Sequence, residues 1–201
     1  MIRVLLADDQ TLFRGALAAM LALEPDIEIV AQVGSGDEVL DAARRTRPDV
    51  ALIDVQMPGK DGLEATAELR ALLPGCRVVI CTTFGRPGYF ARAMEHGASG
   101  FVVKDSSPEH LVETVRRVHT GLRVVDPALA AESLASGTGP LTARERDVLR
   151  EARRGGTVSE IAKALHLSNG TVRNHLSAAI GKTGAATRAE AALIAEEYGW
   201  L

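Results

Sequence analysis

The chain has 201 residues, enough for two domains or for one large domain. Hydrophobic residues make up 46% of the chain and charged residues 24%, a composition that supports a packed globular core. The formal net charge of −3 excludes a chain that is polybasic along its whole length, and no apolar run approaches the roughly 18 residues that a membrane span needs.

Two features bear on the compartment. The chain has two cysteines, Cys76 and Cys81, and Cys81 falls in an apolar run typical of a strand, which favours a reducing environment. The N-terminus begins with a strand-like segment and then acidic residues, without the basic and long apolar regions of a signal peptide. We therefore expect a cytoplasmic protein that does not insert into a membrane.

Five short apolar runs alternate with five segments of helical periodicity in the first 120 residues. The predicted strands cover residues 2–7, 27–33, 50–53, 78–81 and 101–103. The predicted helices cover residues 10–23, 36–46, 62–73, 87–96 and a last segment that Pro108 opens and Gly121 closes. This alternation demands a parallel sheet with right-handed crossovers, so we predict a doubly wound α/β domain with five strands.

Polar residues stand at the carboxyl ends of four of these strands. Asp8 and Asp9 follow the first strand, Asp54 the third, Thr82 the fourth and Lys104 the fifth. Because these ends converge on one edge of a doubly wound sheet, we expect the five side chains to lie together. Taken alone, Asp54 is more typical of a turn at a strand end, and only the other residues favour a functional site.

The chemistry of these side chains indicates a bound cation and a phosphoryl group. Three carboxylates together repel one another unless they share a cation, and Mg2+ prefers carboxylate oxygens, water and substrate phosphate. A lysine ammonium binds phosphate as a point charge, and a threonine hydroxyl can donate to a phosphoryl oxygen. The set therefore suits the stabilisation of a phosphoryl group on Asp54.

Residues 1–120 resemble the receiver domain of two-component response regulators, which has a flavodoxin-like fold. The residues that carry the resemblance are Asp8-Asp9, Asp54, Met57-Pro58-Gly59, Asp61-Gly62, Thr82, Phe101 and Lys104. The resemblance covers this part of the chain essentially without gaps. It implies that Asp54 is the phosphoacceptor and takes its phosphoryl group from a phosphohistidine of a sensor histidine kinase.

The resemblance also implies a metal site. Asp9, Asp54 and the main-chain carbonyl of Gln56 would hold Mg2+ directly, and Asp8 would hold it through water. Lys104 would pair with the phosphoryl group.

A switch is implied in the same way. Thr82 would move to bond the phosphoryl group, and Phe101 would swing into the space that Thr82 leaves. The added charge of about −1.5 to −2 would bias a surface formed by helix 87–96, the fifth strand and the last helix of this domain. For Phe101 the alternative is ordinary core packing, which is the role of many aromatic residues in strands.

Residues 121–139 break the alternation, and the segment 136–140 (Ser-Gly-Thr-Gly-Pro) is typical of a flexible linker. Residues 140–201 then form a second unit, for which we predict four helices. Three of its helix starts carry the capping box Thr-x-x-Glu, namely Thr142 with Glu145, Thr157 with Glu160 and Thr187 with Glu190.

The middle of this second unit indicates a helix-turn-helix. A short helix over 158–165, a tight turn at 166–168 and a longer helix over 169–182 have the required geometry. The apolar stripe of the longer helix consists of Val172, Leu176, Ala179 and Ile180. Its polar face offers Arg173, Asn174, Ser177 and Lys182.

The second unit resembles the LuxR-type DNA-binding domain, and hence the NarL/FixJ class of regulators. The resemblance rests on Leu141-Thr142-x-Arg144-Glu145, Val148-Leu149, Glu160-Ile161-Ala162, Leu165, Leu167-Ser168, Thr171-Val172-Arg173-Asn174-His175 and Lys182. It implies that the longer helix enters the DNA major groove, where Arg173, Asn174 and Ser177 face the bases. Thr171 and Lys182 would contact phosphates, which position the protein without specifying sequence.

Two features depart from the family pattern. Gly181 and Gly184 stand at positions where the family usually has good helix formers or an apolar residue. Each glycine inside a helix lowers stability by about 0.5–1 kcal/mol, so we expect the C-terminal end of the longer helix to fray. Ser177 stands where the family often has a basic residue. The second unit carries nine Lys and Arg against seven Asp and Glu, a net charge of +2, so it has no domain-wide basic footprint.

Together these features predict a DNA-binding response regulator that is not an enzyme. Phosphorylation of Asp54 is expected to create a homodimer whose two recognition helices lie ~10–10.5 bp apart on an operator in double-stranded DNA. RNA polymerase is a further candidate partner. A narrower likeness, to regulators of membrane-lipid desaturation, rests on Thr82-Thr83-Phe84-x-Arg86-Pro87-Gly88-Tyr89-Phe90, Gly170-Thr171-Val172-Arg173-Asn174 and Gly199-Trp200.

Two alternatives remain open. One is a receiver used as a phosphate sink or protein-interaction module, with a C-terminal unit that only oligomerises. The other is an enzyme in the limited sense of autodephosphorylation, in which Mg2+, Asp54 and Lys104 position a water on the acyl phosphate. Finally, the run Gly34-Ser35-Gly36 is not a nucleotide-binding loop, because no Gly-x-Gly-x-x-Gly pattern completes it.

Overall fold

The computed structural model describes residues 1–83, 87–127, 130–131 and 139–201. Residues 128–129 and 132–138 of the predicted linker, and residues 84–86 of the narrower likeness, therefore lie outside the described residues. Contacts divide the chain into two compact units, the first built on a sheet and the second on the C-terminal helices. The predicted domain boundaries at residues 120 and 140 stay predictions.

The first unit contains a parallel sheet of five strands in the order β2-β1-β3-β4-β5. The strands are β1 (Ile2–Ala7), β2 (Ile27–Val33), β3 (Val50–Ile53), β4 (Arg77–Thr82) and β5 (Gly100–Val103). This order confirms the predicted doubly wound sheet. It also makes β1 and β3 direct neighbours at the centre, so the residues that follow them emerge side by side.

Five helices connect the strands. They are α1 (Thr11–Leu21), α2 (Gly36–Thr46), α3 (Gly62–Leu72), α4 (Pro87–Glu95) and α5 (Pro108–His119). The capping residues explain two of the helix starts. Asp61 accepts a hydrogen bond from the main-chain N–H of Glu64 at the start of α3, and Ser107 accepts one from His110 at the start of α5.

The core of the first unit lies on both faces of the sheet. All four residues of β3 are buried, which is why this strand reads as an unbroken apolar run rather than an alternating one. Burying each large apolar side chain of this kind contributes about 1.5–3 kcal/mol, so the strand that precedes Asp54 is firmly fixed.

The outer edge of β5 is covered by the chain that follows α5. Phe101 donates its main-chain N–H to the carbonyl of Val124 at 3.1 Å, and Val124 donates to the carbonyl of Ser99 at 3.0 Å. Gly100 and Val124 form a parallel bridge. The start of the predicted linker is therefore hydrogen bonded to the sheet.

The second unit contains α6 (Ala143–Arg153), α7 (Val158–Ala164), α8 (Asn169–Thr183) and α9 (Arg188–Glu197). Two of the three predicted capping boxes form in full, at Thr142 with Glu145 and at Thr157 with Glu160. The third forms by half. Thr187 accepts from the N–H of Glu190, but the Glu190 carboxylate accepts from the N–H of Ala186 at 2.7 Å. The backbone differs at this cap, since Thr187 has a φ of −136° where Thr142 and Thr157 have −70°.

The turn and the longer helix of the helix-turn-helix are well defined. His166 takes a positive φ of 55° in the turn, and Ser168 caps α8 by accepting from the N–H of Thr171. The expected fraying is not observed, since α8 continues through Gly181 to Thr183. Gly184 then ends the helix with a φ of 69°, a left-handed conformation that glycine adopts without strain.

Across the described parts of the chain, every helix falls short of the length and apolar character required to cross a membrane.

Candidate functional site

Three carboxylates meet at the carboxyl edge of the sheet. Asp8 and Asp9 follow β1, and Asp54 follows β3, the neighbouring strand. One oxygen from each carboxylate lies within 4.8 Å of the others. Asp8 and Asp54 are each only 4% exposed, whereas Asp9 is exposed. The structure thus brings together the acidic residues that the sequence placed at one edge.

Lys104 lies between two of these carboxylates. Its ammonium is 2.7 Å from Asp8 Oδ2 and 2.9 Å from Asp54 Oδ2, and its side chain is 6% exposed. The main-chain N–H of Lys104 donates to the carbonyl of Thr82 at 2.7 Å, which fixes the end of β5 to the end of β4. The ammonium also stands 4.6 Å from the centre of the Phe13 ring. This cation–π contact was not predicted, because Phe13 follows the apolar spacing of α1.

Burial and charge act against each other in this site. Burial raises the pKa of Asp54, and the nearby charge of Asp8 adds to the rise, while the hydrogen bond from Lys104 opposes it. Burial also disfavours the charged form of Lys104, but its hydrogen bonds to Asp8 and Asp54 outweigh that effect and raise the pKa of the ammonium. The lysine therefore stays protonated and compensates part of the negative charge.

The donor set fits a hard divalent cation. Three carboxylates with one ammonium leave a negative excess at the sheet edge, and clustered carboxylate oxygens are ligands that Mg2+ prefers. Gln56 lies two residues after Asp54 with an exposed side chain. The loop that carries it is closed by a 2.8 Å hydrogen bond from the N–H of Gly62 to the carbonyl of Val55. A Cβ at position 62 would overlap the carbonyl oxygen of Asp54, so this closure requires glycine.

The two predicted switch residues lie on the neighbouring strands. Thr82 ends β4 and is 1% exposed, and Phe101 in β5 is 3% exposed. The Phe101 ring packs edge-to-face on Phe90, with ring centres 5.7 Å apart and an interplanar angle of 77°. In this structure Phe101 is a core residue, which is compatible with both of its predicted roles.

The helix α8 shows the predicted division into an apolar and a polar face. Val172, Leu176 and Ala179 are buried against the other helices of the second unit. Arg173, Asn174 and Ser177 are exposed. Thr171 is half-buried, and its hydroxyl lies 2.8 Å from the Ser168 hydroxyl at the helix start. Four of the five predicted DNA contacts therefore lie along the first part of one helix.

The fifth predicted DNA contact, Lys182, is exposed but is ion-paired to another residue of the second unit. Its ammonium lies 2.9 and 2.8 Å from the two carboxylate oxygens of Glu145, which is 5% exposed. Burial raises the pKa of Glu145, but hydrogen bonds from Lys182 and from the N–H of Thr142 outweigh burial and lower it. The capping-box pattern identified Glu145, but no sequence signal linked it to Lys182, 37 residues away.

Two protein families account for most of the chain. The family described as "Response regulator receiver domain" matches residues 4–116, and "Bacterial regulatory proteins, luxR family" matches residues 139–195. The chain belongs to the LuxR-type response regulators. This confirms the predicted family, and it makes the chain a DNA-binding regulator that receives a phosphoryl group from a kinase and controls transcription.

Relatives of this response regulator match along its whole length. The transcriptional regulatory protein DesR of Bacillus subtilis is 42% identical over 201 residues, with all of both chains covered. The uncharacterised transcriptional regulatory protein YvfU of the same organism is 43% identical over 203 residues, also with full coverage. Both are named as transcriptional regulators rather than as enzymes, as predicted.

Solved structures agree with the fold. The response regulator ChrA of a haem-sensing two-component system is 30% identical, with 100% of this chain and 98% of that chain covered and a TM-score of 0.58. The RcsB–DNA complex has a TM-score of 0.67 and covers 98% of both chains at 21% identity, a likeness that shows the fold alone.

Proposed function

We propose that Asp54 is the phosphoacceptor of this response regulator. The observation that supports it is the ion pair of the buried Asp54 Oδ2 with Lys104 inside an acidic cluster. The other carboxylate oxygen, Oδ1, attacks the phosphorus of a kinase phosphohistidine. The new O–P bond replaces the N–P bond, and the imidazole leaves with the electron pair of that bond. Lys104 then moves from the carboxylate to a phosphoryl oxygen.

Mg2+ belongs to the same proposal. Asp9, Asp54 and the main-chain carbonyl of Gln56 would hold the ion directly, and Asp8 would hold it through water. The chemistry that a bound ion would supply is neutralisation of the charge on the phosphoryl oxygens. The proximity of the three carboxylates supports this assignment.

The response to phosphorylation follows from the residues at the ends of β4 and β5. The Thr82 hydroxyl donates to a phosphoryl oxygen, and the Phe101 ring moves off Phe90 toward the space that Thr82 leaves. The altered surface favours a homodimer, which brings two copies of α8 to one operator. Dimerisation raises operator affinity through effective concentration, because the second helix then binds as part of the same molecule.

On DNA, the exposed face of α8 enters the major groove. Arg173, Asn174 and Ser177 face base edges, and Thr171 contacts a phosphate near the helix start. Lys182 has three N–H donors, so it can contact a phosphate while Glu145 accepts two of its hydrogen bonds. RNA polymerase is a further partner in this proposal, and the cytoplasm, where chromosomal DNA lies, is the location.

The target genes are proposed to include membrane-lipid desaturase genes. The 42% identity to DesR over the whole length of both chains supports this choice, as do the residues of the narrower likeness. Recovery of promoter fragments bound to the phosphorylated protein tests it. Desaturase promoters should be among the retained fragments, and their absence from the retained set would remove this part of the proposal.

To test the phosphoacceptor, the full-length protein is incubated with a phosphodonor and Mg2+, and its dimerisation and operator binding are measured. Both dimerisation and operator retention should increase, and Asp54→Ala should abolish both increases. Asp41→Asn, which removes an exposed carboxylate from α2, serves as the matched control and should respond like the wild type. A normal response from Asp54→Ala would overturn the assignment.

A further inference from the structure

We propose that the turn Gly34-Ser35-Gly36 positions both loops that carry the Mg2+ ligands. The turn joins β2 to α2 and contains none of the predicted ligands. One loop follows β1 and carries Asp8 and Asp9, and the other follows β3 and carries Asp54 and Gln56. This inference rests on the proposed function, since it concerns the metal site of that function.

Arg14 connects the turn to the first loop. Its guanidinium donates to the main-chain carbonyl of Asp8 and lies against Gly34, where a Cβ would be 3.4 Å from Nη1. The N–H of Asp8 donates to the carbonyl of Val33 at 3.1 Å, just before the turn. The main chain of Asp8 is thus held at its N–H by Val33 and at its carbonyl by Arg14, so the Arg14 contact helps to fix the loop from which the carboxylate projects.

Gly36 connects the turn to the second loop. Its N–H, at the start of α2, donates to the carbonyl of Pro58 at 3.3 Å. A Cβ on Gly36 would overlap the carbonyl oxygen of Lys60, so the loop backbone occupies the space that any other residue would need. On the loop side, Gly59 has a φ of 73°, and a Cβ there would overlap the carboxylate of Asp37.

Glu38 closes the turn. The carboxylate of Glu38 accepts from the N–H of Gly34 at 3.1 Å and from the Ser35 hydroxyl at 3.0 Å. Two loops that are far apart in sequence therefore both contact one short segment. Mg2+ demands near-ideal octahedral geometry, so its affinity depends on the relative position of these loops. The close approach of the Lys60 carbonyl explains why position 36 of this run is glycine.

The test measures Mg2+ binding to the unphosphorylated full-length protein by titration calorimetry, with Mg2+ as the only ligand. Arg14→Ala and Gly36→Ala should each weaken Mg2+ binding by about 10–100-fold, the usual effect of removing groups that support metal ligands. Arg14→Lys, which keeps a donor, should recover part of the loss. Gly15→Ala is the control, because a Cβ there meets no atom within 4 Å.

A second readout separates positioning from general damage. This readout is the rate of phosphorylation by acetyl phosphate, measured as a function of Mg2+ concentration. Both variants should require a higher Mg2+ concentration to reach half of the maximal rate. At saturating Mg2+ their rates should equal that of the wild type. Arg14→Ala changes only a side chain and leaves the glycines of the turn in place. If Gly36→Ala does not fold, the Mg2+ affinity of Arg14→Ala alone tests the positioning role.

The two proposals fail in different ways. If the wild type binds Mg2+ and both variants bind it within twofold of the wild type, the positioning role is overturned while the metal site stands. If the wild type takes up no Mg2+, the proposed function fails, and the inference fails with it.

Discussion

Glu145 and Lys182 form an ion pair that joins the start of α6 to the end of α8, with Lys182 Nζ 2.8 Å from Oε2 and 2.9 Å from Oε1. The same carboxylate accepts the N–H of Thr142 at 2.7 Å, so one side chain caps α6 and holds the recognition helix. The orientation of α8 therefore depends on a residue outside the helix-turn-helix.

Removal of the lysine should destabilise the second unit. Lys182→Met leaves a buried carboxylate without its cation, which should lower the free energy of unfolding by about 1–3 kcal/mol. Trp200, the single tryptophan, packs against the core of this unit, so its fluorescence during urea unfolding reports the change. Lys163→Met, at an exposed position in α7, is the control and should have little effect.

The same pair predicts a loss of stability in acid. The pKa of Glu145 is lowered from the ordinary value of 4.5, so the folded protein binds this proton less readily than the unfolded chain. The stabilisation is therefore complete above about pH 4.5 and is lost as pH falls through the lowered pKa. Trp200 unfolding curves below pH 4.5 should show a smaller slope of stability against pH in Glu145→Gln than in the wild type. Equal slopes would contradict the assignment.

Two buried threonines should respond to the same substitution with opposite signs. The Thr114 hydroxyl in α5 is buried and, within the described residues, has no hydrogen-bond partner, so Thr114→Val should raise stability by about 1 kcal/mol. The Thr66 hydroxyl donates to the carbonyl of Gly62 at 2.6 Å, so Thr66→Val should lower stability by about 1 kcal/mol. Urea unfolding of the first unit, followed by circular dichroism, measures both. A loss of stability in Thr114→Val would show that its hydroxyl is satisfied in solution.

Arg173 is the strongest test of base recognition. Arg173→Ala should reduce operator affinity by about 1–3 kcal/mol and relax specificity at one base position, because a bidentate guanine contact would be lost. Fluorescence anisotropy with operator and with unrelated DNA, at several salt concentrations, measures both effects. Arg45→Ala, at an exposed position in α2, is the control for charge alone. If affinity for both DNAs falls equally, Arg173 contacts phosphate rather than bases.

The residues at the carboxyl edge of the sheet could be predicted because backbone rules determine their positions. Alternation of strands and helices fixes a parallel sheet, and a parallel sheet brings strand ends together, so Asp8, Asp54 and Lys104 meet without knowledge of side-chain packing. Their contacts with one another then follow from charge.

Contacts that depend on how a helix is rotated against its neighbours could not be predicted. Phe13 beneath Lys104 and Lys182 beside Glu145 are of this kind, since a small rotation of α1 or α8 would separate them. The third capping box failed for a related reason. Its spacing is correct, but the backbone conformation of Thr187 differs from that of the other two caps, and the Glu190 carboxylate reaches the N–H of Ala186 instead.

The pairing of Val124 with the edge of β5 extends the sheet-containing unit beyond its last helix, α5. Val124 is hydrogen bonded to the strand that carries Phe101, so this part of the predicted linker is fixed to the sheet. Any shift of β5 is therefore passed directly to the main chain at Val124, on the C-terminal side of α5.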